Sequence, residues 1–110
     1  MTTPFKAFEQ DELTQKFTSG YSEFLRRPGM SLGIYTLPVG GEDHQHPHSA
    51  DEVYVVLKGR GALRVRDSRI DVGPGSIVSV DHGEEHQFVD ITEDLQVLVV
   101  FAPAEDPADV

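Results

Sequence analysis

Short stretches of alternating apolar and polar residues, cut by glycine, proline and aspartate, run through most of the chain. Met30 to Leu37 reads as a strand with Leu32, Ile34 and Thr36 on one face, and Pro38, Gly40 and Gly41 end it. EVYVVLKG, from Glu52 to Gly59, sets Val53, Val55 and Leu57 on one side and Glu52, Tyr54 and Val56 on the other. Lys58-Gly59-Arg60-Gly61 reads as a turn, after which Leu63 and Val65 alternate with Arg64 and Arg66, the arginines toward solvent. Ser68 to Val72 predicts a short return strand with Ile70 and Val72 facing in. Gly73-Pro74-Gly75 is a compact turn before SIVSV, and Asp81-His82-Gly83 is another before HQFV, where His86 and Phe88 share a face. Leu95 to Phe101 is the last strand, with Gln96, Leu98 and Val100 on one side.

Upstream, Tyr21 to Leu25 predicts one more short strand, stopped by Arg27-Pro28-Gly29. Before it, Phe5, Phe8, Leu13 and Phe17 suit a packed arm with room for a short helix. Many short strands with a turn signal every eight to twelve residues imply an all-β sandwich or barrel. The expected division is an arm and edge strand over 1–29, a barrel over 30–103 and a disordered acidic tail over 104–110, all in one domain.

Composition narrows the chemistry. A chain of 110 residues has room for one core, and the lack of cysteine excludes disulfides and thiolate metal sites. A formal net charge of −10 argues against nucleic acid as a partner, because phosphates would be repelled. No apolar run has signal-peptide or membrane-span length, so a cytoplasmic protein with no membrane partner is the default expectation.

The candidate chemistry lies in GGEDHQHPHSADEVYVVLKG, with the spacing Gly40-x5-His46-x-His48-x3-Glu52-x6-Gly59. Histidines two apart lie on one face of an extended segment, and imidazole with carboxylate suits Fe, Mn, Zn, Ni or Cu. A further imidazole, His86, stands downstream in GPGSIVSVDHGEEHQFVD. These two segments resemble the two motifs of the cupin family. All fixed positions of the first motif are present. In the second, Gly75, Gly83 and His86 match, while Asp81 replaces a proline and Asp90 an asparagine. The resemblance spans residues 30–103 and implies a small, single-domain jelly-roll-like β-barrel.

The resemblance also implies that His46, His48, Glu52 and His86 bind one divalent transition metal. Such a set leaves open positions for water, dioxygen or a bidentate oxygen ligand. The expected function is dioxygenase-like oxidation of a small oxygen-bearing substrate, with Glu52 able to serve as base. The alternatives are a non-catalytic binding or sensing barrel, a metal-dependent isomerase or lyase, and a metal that only stiffens the barrel mouth. Tyr54 and Gln96 are candidate substrate contacts, although an aromatic at Tyr54 is more often simply core; His44 and His82 read as exposed loop histidines, the alternative being a hydrogen bond to a metal ligand or a place near substrate. A small barrel exposes strand edges, so a homodimer is expected, with Phe5, Phe8 and Phe17 covering an edge in cis or by exchange.

Overall fold

Two long strands carry the molecule. In the computed structural model, which describes residues 4–106, a short helix α1 (Gln10–Lys16) precedes β1 (Gly20–Arg27), β2 (Met30–Leu37), β3 (Asp51–Val65), β4 (Ser68–Val72), β5 (Ile77–Val80) and β6 (His86–Ala102). All pairings are antiparallel, in the order β1-β2-β6-β3-β4, with β5 added to β3. β3 and β6 pair from Asp51↔Ala102 to Val65↔His86, β5 lies against the first part of β3, and β4 against its last part.

Two expected breaks are therefore absent. Lys58 to Gly61 does not turn the chain; it lies inside β3 where three register shifts interrupt the ladder. Likewise HQFV and Leu95–Phe101 are the two ends of one strand, β6. The reason lies in the backbone. Gly59 has φ +89°, and a Cβ there would collide with the backbone carbonyl of Asp94 on the facing strand. Glycine at this place permits a bulge that bends a continuous strand, and in a sequence it looks the same as a turn. Asp90, at the asparagine position of the second motif, has φ 50°, a region that both Asn and Asp tolerate. Arg69 also donates to its Oδ2, at 3.1 Å and 3.3 Å.

The inner face holds Tyr54, Val56, Leu63, Val72, Phe88, Leu95, Val97 and Phe101, all buried. The expected orientation of Glu52, Tyr54 and Val56 holds. Ile70 does not face in; its side chain is 52% exposed on the outer strand β4. Gln96 points away from the core too, because the inward positions of β6 there are Leu95 and Val97. Its Nε2 donates to the carbonyls of Thr14 and Phe17 at 2.9 Å and 3.0 Å, fastening the arm to the outside of the sheet. Phe8 and Phe17 in turn pack against Phe24, with ring centroids 4.8 Å and 6.5 Å apart. At the other end Glu105 is buried, and its amide donates to Ser31 Oγ at 2.8 Å; residues 107–110 of the expected tail lie outside the described residues.

The loop between β2 and β3 is fixed by one buried carboxylate. Asp43 Oδ1 accepts from the Tyr35 hydroxyl at 2.5 Å, and Oδ2 from the Phe88 amide at 2.8 Å and Gln45 Nε2 at 2.6 Å. These bonds tie the loop to β2 and β6 and turn the Gln45 side chain inward. Burial, then this hydrogen bond and charge, raise the Tyr35 phenol above its ordinary pKa, so it stays a donor.

Two stability tests follow from this architecture. Gly59→Val is expected to destabilise the fold by about 2–4 kcal/mol in urea denaturation, from strain and overpacking together. Gly29→Ala, with open space around it, should stay within about 0.5 kcal/mol of wild type. Asp43→Ala should cost about 2–4 kcal/mol by leaving the Tyr35 hydroxyl and Phe88 amide without their acceptor, and Tyr35→Phe should cost less in that background than in wild type.

Candidate metal centre

Glu52 enters near the start of β3, on the inward face that alternation assigned to it. His86 opens β6, directly after the turn that returns from β5. His48 lies on the loop between β2 and β3, and its carbonyl accepts from the Gly83 amide at 2.8 Å, joining that loop to the His86 turn. Glu52, His86 and His48 are 2%, 3% and 6% exposed, and one ligand atom from each falls within 4.8 Å of the others. Glu52 Oε1 is 3.6 Å from His48 Nε2 and 3.4 Å from His86 Nε2, while Glu52 Oε2 is buried without a hydrogen-bond partner.

His86 is oriented from behind. Its Nδ1 lies 2.8 Å from the Glu84 carbonyl, which can only accept, so Nδ1 carries a proton and Nε2 faces Glu52. Burial alone would push this imidazole's pKa down. Hydrogen bonding to Glu52 and to the Glu84 carbonyl, with the charges of Glu52 and Asp43, outweighs burial and raises it above the ordinary histidine value. Tyr54 completes the cluster: its hydroxyl is 2.9 Å from His86 Nε2 and donates to Gln45 Oε1 at 3.0 Å. Burial first, and then the Glu52 charge, hold this phenol well above its ordinary pKa, so it remains protonated.

Two imidazoles and one carboxylate, all buried and convergent, with a spare carboxylate oxygen, fit a divalent transition metal in donor chemistry. His48, Glu52 and His86 are thus brought together as the resemblance implied. His46 is not in this group; it is exposed and lies on the wall of the adjoining cavity with His44 and Gln45. That cavity has a volume of about 370 Å³ and is walled by Tyr21, Tyr35, Leu37, Val99 and Phe101, with His48 at its boundary with the metal group.

The other candidates fall outside the centre. Gln96 is taken up by the arm. His44 is exposed, 3.3 Å from Glu42. His82 pairs with Asp51 on the surface: Asp51 Oδ1 accepts from the His82 amide at 2.8 Å and lies 2.9 Å from its ring. These contacts raise the His82 pKa and lower that of Asp51. Sequence reasoning missed Asp43, Gln45 and Glu105. Nothing in the sequence separates Asp43 or Gln45 from other polar loop residues, and Glu105 stands among Pro, Ala and acids that read as disorder.

Among the described residues no helix is long and apolar enough to cross a membrane. The cupin domain family matches residues 33–101. An uncharacterized protein of Streptomyces coelicolor is 47% identical over 103 residues, covering 91% of this chain and 98% of its own length. Among solved structures, a Bacillus halodurans protein superposes with a TM-score of 0.80 at 19% identity, over 96% of this chain and 85% of its own. A cupin of double-stranded β-helix fold from Methanocaldococcus jannaschii gives 0.73 at 20% identity, over 94% and 93%. With its first motif complete, its barrel matched across both motifs and its His/Glu cluster at their meeting point, this chain belongs to the cupin family.

Proposed function

We propose that the protein is a metal-dependent oxidoreductase of dioxygenase type, acting on a small oxygen-bearing substrate. The observation that carries this reading is the buried convergence of His48, Glu52 and His86 beside a cavity walled mainly by apolar and aromatic side chains. Two histidines and one carboxylate with open positions are the donor set of non-haem iron oxygenases. When bound by His48, Glu52 and His86, a divalent iron would supply a meeting place for dioxygen and substrate oxygen and would stabilise negative charge on the substrate.

The chain's own residues have separate tasks around that point. Tyr21, Tyr35, Leu37, Val99 and Phe101 exclude water and select by shape. Among the described residues no lysine or arginine lines the cavity, so an anionic substrate would be held by hydrogen bonds and by the metal rather than by a lysine or arginine. Tyr54, kept protonated, donates its hydroxyl hydrogen to Gln45 Oε1 at 3.0 Å, which holds the hydroxyl in place beside His86. Glu52 Oε2, which has no other hydrogen-bond partner, is the atom suited to take up a substrate proton.

Metal content by mass spectrometry and oxygen consumption test the proposal together. Wild type should retain one divalent ion per chain, with His86→Ala and Glu52→Gln weakened by at least about tenfold. His46→Ala, altered at the rim, should lose less. Fe²⁺-loaded wild type should consume oxygen with at least one compound among catechols, enols and 2-oxo acids, and His86→Ala should not. Wild type that binds one of these compounds but consumes no more oxygen than the variant would replace the enzyme with a binding module.

A further inference from the structure

The three tyrosines of the chain differ in what their hydroxyls touch. Tyr35 donates to Asp43 Oδ1 at 2.5 Å and Tyr54 to Gln45 Oε1 at 3.0 Å. The Tyr21 hydroxyl is buried without a hydrogen-bond partner. Its ring is nevertheless fixed. It lies over Gly33, where a Cβ would collide with its Cζ and its hydroxyl oxygen, and it meets Tyr35 and Phe101 edge-on, with centroids 6.4 Å and 6.0 Å apart. Gly33 pairs with Val99 of β6, and Tyr21, Tyr35, Val99 and Phe101 are walls of the same cavity. Burial, and then the charge of Glu105, raise the Tyr21 phenol above its ordinary pKa, so it keeps its proton. A buried donor without an acceptor is costly, and a ligand oxygen in the cavity would satisfy it.

We propose that Tyr21 is a specificity-determining residue of the cavity: its hydroxyl donates to an uncharged carbonyl oxygen on a flat ligand whose other end binds at the metal centre. The proposal rests on the metal-site reading given above for that other end. Flatness follows from the walls, since aromatic rings and a volume of about 370 Å³ suit a single substituted ring. Phe101 links the two ends: its ring touches that of Tyr21 on one side and that of His48, 5.1 Å away, on the other. The lack of charge follows from Glu105, which also lines the cavity. Its carbonyl accepts from Arg26 Nη2 at 2.7 Å, and its Oε1 lies 3.4 Å from His48 Nδ1. A second carboxylate brought to Tyr21 would meet this acid, and among the described residues no lysine or arginine lines the cavity to offset it. A carbonyl oxygen accepts from the phenol without that repulsion.

The test uses the full chain, loaded with Zn²⁺ under argon so that binding is read without turnover. Three flat diols that differ at one ring position serve as probes: protocatechualdehyde, the methylcatechol with its methyl group at that position, and protocatechuate. In calorimetric titration wild type should bind the aldehyde more tightly than the methyl compound, and that ratio should fall by about 5–15-fold in Tyr21→Phe. Protocatechuate should bind weakest to both proteins. Thermal melts should place Tyr21→Phe at or above wild type, because it loses only a hydroxyl that has no partner. A variant that melts several degrees lower would mean that the hydroxyl is already engaged inside the protein. An unchanged aldehyde-to-methyl ratio in folded Tyr21→Phe would mean that no ligand engages it. Either result overturns the role of Tyr21, and protocatechuate as the tightest ligand of wild type overturns the choice of an uncharged oxygen. The same titrations on metal-free protein separate this role from the metal reading. Zn²⁺ that fails to strengthen binding overturns the metal centre as the other anchor, while a ratio that still depends on Tyr21 upholds the donor. Wild type that binds none of the three, loaded or metal-free, overturns the proposal as a whole.

Discussion

Glu52 and His86 belong to opposite ends of one antiparallel ribbon. Glu52 pairs with Phe101 and His86 with Val65, and a straight strand would hold two such points about 40 Å apart. They stand 3.4 Å from each other because the ribbon is bent back on itself at its register shifts. The bulge at Gly59 and the left-handed residue at Asp90 are therefore conditions for the site as much as for the sheet. The first-motif glycine carries no ligand atom, but it permits the curvature that brings the ligands together.

Around that bend, polar groups in the interior are matched to one another. Asp43 receives the Tyr35 hydroxyl, the Phe88 amide and the Gln45 side chain, and Gln45 in turn receives Tyr54. Buried polar groups are stable only when satisfied, and each link in this set depends on the one before it. The network therefore determines where the Tyr54 hydroxyl lies relative to His86 Nε2, although Asp43 itself lies in the loop before β3. Glu52 Oε2, at the centre, is a buried acceptor without a hydrogen-bond partner, where a further group would be accommodated.

Much of this was legible in the chain. Alternation located the strands and gave the inward face of Glu52, Tyr54 and Val56, while the resemblance to the two cupin motifs implied that His48, Glu52 and His86 come together. What escaped was the long-range part. A glycine with positive φ looks the same in a turn and in a bulge, so the sequence suggests a strand end at Gly59 where the strand in fact continues. Gln96 alternates correctly, but alternation does not say which face meets the core, and the arm covers the other one. Asp43 and Glu105 are ordinary acidic letters in polar surroundings. Their burial depends on which distant groups are delivered to them: Tyr35 and Phe88 for Asp43, and Ser31, Arg26 and His48 for Glu105.

The place of β6 in the sheet has a consequence for how the protein is made. Among the described residues β6 is the last strand, yet it sits between β2 and β3 and bonds to both. Until it emerges from the ribosome, the β1–β2 hairpin and the group formed by β3, β4 and β5 have no common partner, and their apolar faces are open. His86 begins that same strand, so the metal centre and the joining of the two halves belong to one late event. Non-local pairing of this kind folds slowly and leaves edges exposed while it waits. A nascent chain stalled before β6 thus lacks His86 and leaves apolar edges open, and the candidate metal site is assembled only in chains that have already closed.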